Sequence, residues 1–178
     1  MFFKMRSAYF VAAVSAVLSV AAVASAKYKT EKPQIVVHAK GPAGMKIEGK
    51  SSKLVIDEDD KTITFKTFLN SIDTGNGQRN THMQERFEAA KFSDIRLTLD
   101  KGTIDTKEKE GKVVDGTLTL HGKTKNGVKV KYDLKGKHVH AKFDFDVTQH
   151  GIDKDQLCAF HVCADPAGWV EVDFDLKD

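Results

Sequence analysis

Proline is scarce, with three residues in 178, and tryptophan (one) and cysteine (two) are scarcer still. Pro33, Pro42 and Pro166 stand alone, and no low-complexity linker or internal repeat interrupts residues 27–178, so one domain is expected there. Charge of one sign is also missing. The formal net charge is +3, and the lysines stand singly beside acidic residues, which excludes the concentrated basic face that nucleic acid requires. No Gly-x-Ser-x-Gly turn occurs, and the carboxylates fall at outward strand positions where nothing would raise their pKa, so no catalytic residue is assigned and no enzyme is expected. Helical periodicity is almost absent, and the only long apolar run lies at the N-terminus.

That run, from about Ala8 to Val23, follows Lys4 and Arg6 and precedes Ala24-Ser25-Ala26. The order is that of a secretory signal peptide cut after Ala26. The run is alanine-rich, broken by Ser15 and Ser19, and short of the about 20 strongly apolar residues of a membrane span. Residues 1–26 are therefore expected as a leader and 27–178 as a soluble domain in the periplasm or secreted.

Period-2 alternation recurs along the rest of the chain, marking strands with one buried and one wet face. Short strands are expected over 35–39, 45–48 and 54–57 and a clearer one over 61–69. Ile95, Leu97 and Leu99 share one side of the next, and Leu118 and Leu120 one side of another. Lys107 to Gly111 reads as a charged turn, and Asn126-Gly127 as a type I′ hairpin turn because both residues tolerate positive φ. Val128 to Leu134, Val139 to Val147 and Val170 to Leu176 complete the set. Eight or nine antiparallel strands with continuous apolar rows bury them best by closing, which also removes exposed edges. The expected fold is all-β, an eight-stranded antiparallel barrel. Between the fourth strand and Asp94 the alternation fails. Met83 and Phe87, four apart, predict a short helix capped by Asn80 or Thr81 and placed over one mouth. Arg79 is read as tying the loop Ser71 to Asn76 through the Asp73 carboxylate, and His82 as a hydrogen-bonded structural residue.

Ser71-Ile72-Asp73-Thr74-Gly75-Asn76, followed by Arg79, His82, Phe87 and Phe92, and later Gly116-Thr117-Leu118-Thr119-Leu120-His121-Gly122-Lys123-Thr124-Lys125, resemble the YceI-like family. Resemblance runs from about Gln34 to Val147. It implies a lipocalin-like barrel in an exported bacterial protein that sequesters or carries a polyisoprenoid or other long-chain amphiphile. It implies no catalysis and no cofactor beyond a bound isoprenoid or fatty-chain ligand. The ligand-binding residues would be the inward rows: Ile63, Phe65, Leu97, Leu118, Val130, Tyr132, Phe143 and Phe145. From strand number alone the interior could be filled by side chains or hold one small ligand. Two departures stand out. Asn80 occupies the position before Thr81-His82 where the family usually carries aspartate, and Cys158 and Cys163 have no counterpart.

In an oxidising compartment a disulfide is the first reading for Cys158 and Cys163, with reduced thiols and metal ligation as the others. Five residues in extended chain span about 16–18 Å and a disulfide needs Cα atoms within about 7 Å, so a bridge requires Ala159-Phe160-His161-Val162 to turn tightly. The alternative function is a periplasmic metal- or redox-responsive binding protein built on Cys158, His161 and Cys163, with His150 or Asp165 completing four ligands. That spacing matches no familiar zinc module, and no metal site is assigned. His138 and His140, two apart, share what alternation makes the wet face. The expected partner is a long apolar small molecule, with no nucleic acid. Transient contact with a membrane or membrane protein is compatible with the composition, and the oligomeric state, a homodimer included, stays open.

Overall fold

The computed structural model describes residues 29–104, 107–159 and 162–177. The expected leader, residues 1–26, lies outside them. In chain order the strands are β1 (Lys29–Lys40), β2 (Lys46–Ser51), β3 (Val55–Glu58), β4 (Thr62–Phe68), β5 (Asp94–Asp100), β6 (Lys109–Leu120), β7 (Lys123–Lys135), β8 (His138–Asp146), β9 (Cys158–Ala159), β10 (Val162–Cys163) and β11 (Ala167–Lys177). All but β9 and β10 join one antiparallel sheet in the order β2-β1-β11-β8-β7-β6-β5-β4-β3.

Nine strands, not eight, make this sheet: each alternating segment supplies one, and residues 46–58 supply two, which stay separate as its edges. Their first part, β2, pairs only with β1, and their last part, β3, pairs only with β4. The two edges of the sheet are thus joined by the three residues 52–54, which forces it to curl round on itself. On the free side of β2, the Lys50 and Asp73 amides donate to each other's carbonyls, both at 2.8 Å. The Ser51 and Ser71 hydroxyls meet at 2.7 Å, and Thr67 Oγ1 donates to the Lys53 carbonyl at 2.8 Å. Edge groups that would otherwise recruit another chain are thereby partly occupied.

Two local expectations change. The β6–β7 turn is His121-Gly122, with φ of 50° and 67°, and not Asn126-Gly127. Asn126-Gly127 lies inside β7, where Gly116 faces Val128 and Thr117 faces Asn126, so Gly127 at φ 75° is the extra residue of a bulge. Both sites use the same tolerance of positive φ, and the longer apolar pairing of β6 with β7 decides which one reverses the chain. Lys109 to Gly111, read as part of a charged turn, instead begin β6, with the register shifting between Lys109 and Lys112.

The helix α1 (Gly77–Arg86) starts earlier than expected. Its cap is Asn76, whose side chain accepts from the Arg79 amide at 3.0 Å from an extended backbone. Asn80 serves elsewhere, as shown below. β4 ends and β5 begins at the same end of the sheet as the β6–β7 turn and the close of β8; we call this the lower end. A turn over Leu69–Ser71 leads from it into α1.

Two apolar clusters divide the interior. The larger runs along the strands and includes Ile35, Ile63, Leu97, Leu118, Val130, Tyr132, Phe143 and Phe174. The smaller, Leu120, Val147, Ile152 and Leu157, lies at the lower end, with Phe87 from beyond α1 and Ala164 packed against it. Ile152, fully excluded from solvent, comes from the segment between β8 and β9, which folds under the barrel as turns over Val147–His150 and Lys154–Leu157.

Candidate functional site

Alternation decides which side chains face inward, and register decides which of them meet. Across β7, β8, β11 and β1, inward residues stand in rows. Leu134, Val139 and Phe174 form one; Tyr132, Ala141, Val172 and Ile35 the next; Val130, Phe143, Val170 and Val37 the third. Each row is filled from several strands, and Ala141 is the smallest side chain in its row. Between these rows and the opposite wall, where Ile56, Phe65 and Leu97 stand side by side, lies a cavity of about 300 Å³.

Its lining reaches Gly136 in the β7–β8 turn and Leu176 near the end of β11, so it extends to the upper rim. None of the four buried residues of the lower cluster touches it. The helix and residues 147–157 therefore sit at the end opposite the rim that the cavity reaches. Among the described residues that line it, Thr67 and Tyr132 alone have polar side chains. Thr67 donates its hydroxyl to Lys53, and Tyr132 also has a partner.

Of the eight residues expected to bind ligand, Ile63, Phe65, Leu97, Val130, Tyr132 and Phe143 line the cavity. Leu118 and Phe145 do not. Leu118 is buried in the larger cluster, and Phe145 packs against both clusters. Alternation places both on the apolar face but does not say which apolar side chains pack against one another: Leu118 is buried beside Leu97, which lines the space, and Phe145 lies two residues beyond Phe143, which also does. Missed among the lining residues were Ile35 and Val37 of β1, and Val170, Val172 and Phe174 of β11. Their alternation is as clear as that of the chosen rows, and the signal was in hand.

The loop ahead of α1 is tied, though not by Arg79. Asp73 Oδ1 accepts from Asn80 Nδ2 at 2.8 Å and from the Gly75 amide at 2.9 Å. These two bonds hold its carboxyl below the ordinary value of 3.8. Asn80 Oδ1 accepts in turn from the Thr74 amide and hydroxyl, at 2.9 and 2.7 Å. Asparagine, carrying both donor and acceptor, bridges two loop residues at once, which a guanidinium without acceptors cannot do. His82 is exposed on α1 and is not part of this network.

A second polar knot at the lower end was not foreseen. His121, at positive φ, has Nε2 2.7 Å from Glu88 Oε2 and Nδ1 3.2 Å from the His150 carbonyl, and Phe92 packs edge-on at 4.7 Å. His150 is 1% exposed, with Nδ1 2.9 Å from the Lys123 carbonyl. Only the motif His121-Gly122 pointed here.

Cys158 and Cys163 are joined in a disulfide, their Cα atoms 3.9 Å apart across the β9–β10 pair. The pairing of Ala159 with Val162 brings them together, as a tight turn requires; Phe160 and His161 lie outside the described residues. The disulfide removes both thiolates from the metal-binding alternative, and among the described residues no three His, Cys, Asp or Glu side chains are grouped to hold a metal ion. On the outer face His138 and His140 pair with Asp175 and Asp173 at 2.9 and 2.8 Å.

The YceI-like domain model matches residues 18–177. Among solved structures, a polyisoprenoid binding domain from Saccharophagus degradans implicated in plant cell wall breakdown superposes with a TM-score of 0.67 at 16% identity, covering 85% of this chain and 98% of that one. BcnA of Burkholderia cenocepacia superposes with a TM-score of 0.63 at 13% identity, covering 84% of this chain and all of that one (100%). Such identities show likeness of fold. Among curated proteins none matches the chain.

Proposed function

This chain belongs to the YceI-like family, and from that premise we propose that it is an exported binding protein, not an enzyme, that holds the apolar chain of a lipid or isoprenoid inside the barrel and carries or sequesters it. The observation that carries this reading is the cavity of about 300 Å³, walled by aliphatic and aromatic side chains and reaching the rim at Gly136. Ligand pockets of roughly 300–1,000 Å³ are the usual range, so the space is at its small end. The likeness to a structure described as a polyisoprenoid binding domain supports the same ligand chemistry.

Binding would be driven by removing hydrocarbon from water, about 0.8 kcal/mol per methylene. A water-filled apolar space of this kind is unfavourable unless it is emptied or filled by hydrocarbon. The chain's head group would remain at the rim, because the wall has no unengaged polar side chain to receive it. Native mass spectrometry and organic extraction of protein exported through its own leader should recover an apolar molecule in the barrel. An empty barrel by both methods would overturn the proposal.

A further inference from the structure

Resting on the lipid-binding reading above, we propose that the barrel admits its ligand by parting along the seam between its two edges, with Lys53 as the clasp. Both main-chain polar groups of Lys53 are held by hydroxyls from opposite sides of that seam. Its amide donates to Ser51 Oγ at 3.1 Å, and its carbonyl accepts from Thr67 Oγ1 at 2.8 Å. Ser51 closes β2, whose ladder is with β1, and Thr67 belongs to β4, whose ladders are with β3 and β5.

The seam is a weak line in the wall beside the cavity. Above residues 52–54, among the described residues, no strand pairing joins β1 to β3. Inward side chains of the two sides, Ile35 and Ile56 among them, belong to one apolar cluster and line the cavity. Leu54 of the link lines it as well, while Ser52 and Lys53 are exposed, so at this level the link itself is the wall. Below the link the two sides are tied. Ile72 packs so closely on β2 that a Cβ at Gly49 would lie 2.5 Å from its Cγ2, and Lys50 pairs with Asp73. β7 also leaves β8 below Val130, but there the segment after β8 tucks in, with His150 Nδ1 2.9 Å from the Lys123 carbonyl.

What holds the seam at the link is a chain of hydroxyls. Ser71 Oγ donates to the Phe68 carbonyl at 2.6 Å, so the hydrogen in its 2.7 Å contact with Ser51 comes from Ser51. The relay runs from the Lys53 amide through Ser51 and Ser71 to the end of β4. Ser51 and Thr67 are buried, and with His150 they are the buried polar residues among those described. Each such bond contributes little net, because a hydroxyl and a peptide group released from one another bond to water instead, whereas parting a ladder breaks several bonds in register. The wall therefore yields here before it yields within a ladder. Parting it widens a cavity that, at about 300 Å³, lies at the small end for a ligand. The slot so formed runs from the link to the upper rim, which lets an apolar tail pass in sideways while its head group stays at the rim.

Stopped-flow fluorescence with cis-parinaric acid, a fatty acid that brightens when taken out of water, tests the seam. Ser71→Ala, outside the cavity lining, and Thr67→Val should each speed both association and dissociation about fivefold, the worth of one net hydrogen bond, and leave Kd near that of the parent. Ser51→Cys combined with Ser71→Cys places two thiols where hydroxyls now touch. Oxidised, that pair should nearly abolish exchange, and reductant should restore it, with the parent treated alike to control for the Cys158–Cys163 bridge. If the double variant does not fold or pairs its cysteines otherwise, the two single variants decide. Parent rates in both single variants, or a change in Kd carried by dissociation alone, overturn the seam as the entrance while leaving lipid binding intact. Failure of the parent to bind cis-parinaric acid overturns the lipid-binding reading and the seam with it.

Discussion

Ala141→Phe distinguishes a hollow barrel from a packed one by the sign of its effects. Ala141 stands in β8 between Tyr132 of β7 and Val172 of β11, and all three line the cavity. The space holds the equivalent of about ten methylenes, and a phenyl ring occupies roughly half of it. In a hollow barrel the ring enters existing space, and the gain lies below the about 1.5–3 kcal/mol for burying a large apolar side chain completely. If the interior were packed, the same ring would force strain and cost about 1–3 kcal/mol. Ligand binding moves the other way. Displacing about five methylenes at about 0.8 kcal/mol each removes about 4 kcal/mol, roughly a thousandfold in Kd. Urea unfolding gives the first quantity and calorimetric titration with decanoate the second. A variant that loses more than about 1 kcal/mol at unchanged m-value, or that binds decanoate within about threefold of the parent, would refute the hollow-barrel reasoning.

Two other perturbations probe the lower end. Replacing both Cys158 and Cys163 by serine releases a loop with a sequence separation of only 5, so the loss is about 2 kcal/mol, or roughly 4–8 °C in Tm by calorimetry. Fatty-acid affinity should stay unchanged because the bridge lies outside the cavity; a parallel loss of affinity would show that the two ends are coupled. Asn80→Ala removes the main donor that holds the Asp73 carboxyl below 3.8. Since that pKa is depressed in the folded protein, its stabilising effect is full above the ordinary carboxylate value and disappears as pH falls through the folded one. In the variant, Asp73 should titrate closer to 3.8 by carbon-13 NMR, and this part of the stability difference from the parent should vanish in acid. An unmoved Asp73 titration would show that the loop is held by other groups.

Strand positions and the inward faces were legible because alternation is a local property: Val130, Tyr132 and Leu134 announce their face regardless of what the rest of the chain does. The family was legible through two motifs rich in glycine and polar residues, and the disulfide as the first of three readings for two cysteines in an expected oxidising compartment. What escaped depends on non-local facts. Asn126-Gly127 and His121-Gly122 carry the same positive-φ signal, and only the extent of pairing between β6 and β7 separates a bulge from a turn. Asn80 looked like a helix cap because its own side chain cannot reveal that Asn76 already holds the Arg79 amide. How the sheet closes was not legible either, because alternation shows strands at 46–51 and 55–58 but not that they pair with different neighbours and form its two edges.

The depth of Phe145 is the same kind of non-local fact, and it changes what the apolar rows mean. From sequence, Phe143 and Phe145 are equivalent: both inward, both aromatic, two residues apart. In the fold, Phe143 faces Val170 and lines open space, while Phe145 packs its ring against Gly168 and does not line it. A wall so short of unengaged polar groups discriminates by exclusion, since any polar atom drawn below the rim loses its hydration, at about 2–7 kcal/mol, without regaining a partner. On the lipid-binding reading, a hydrocarbon therefore enters tail first and leaves its head group at the rim.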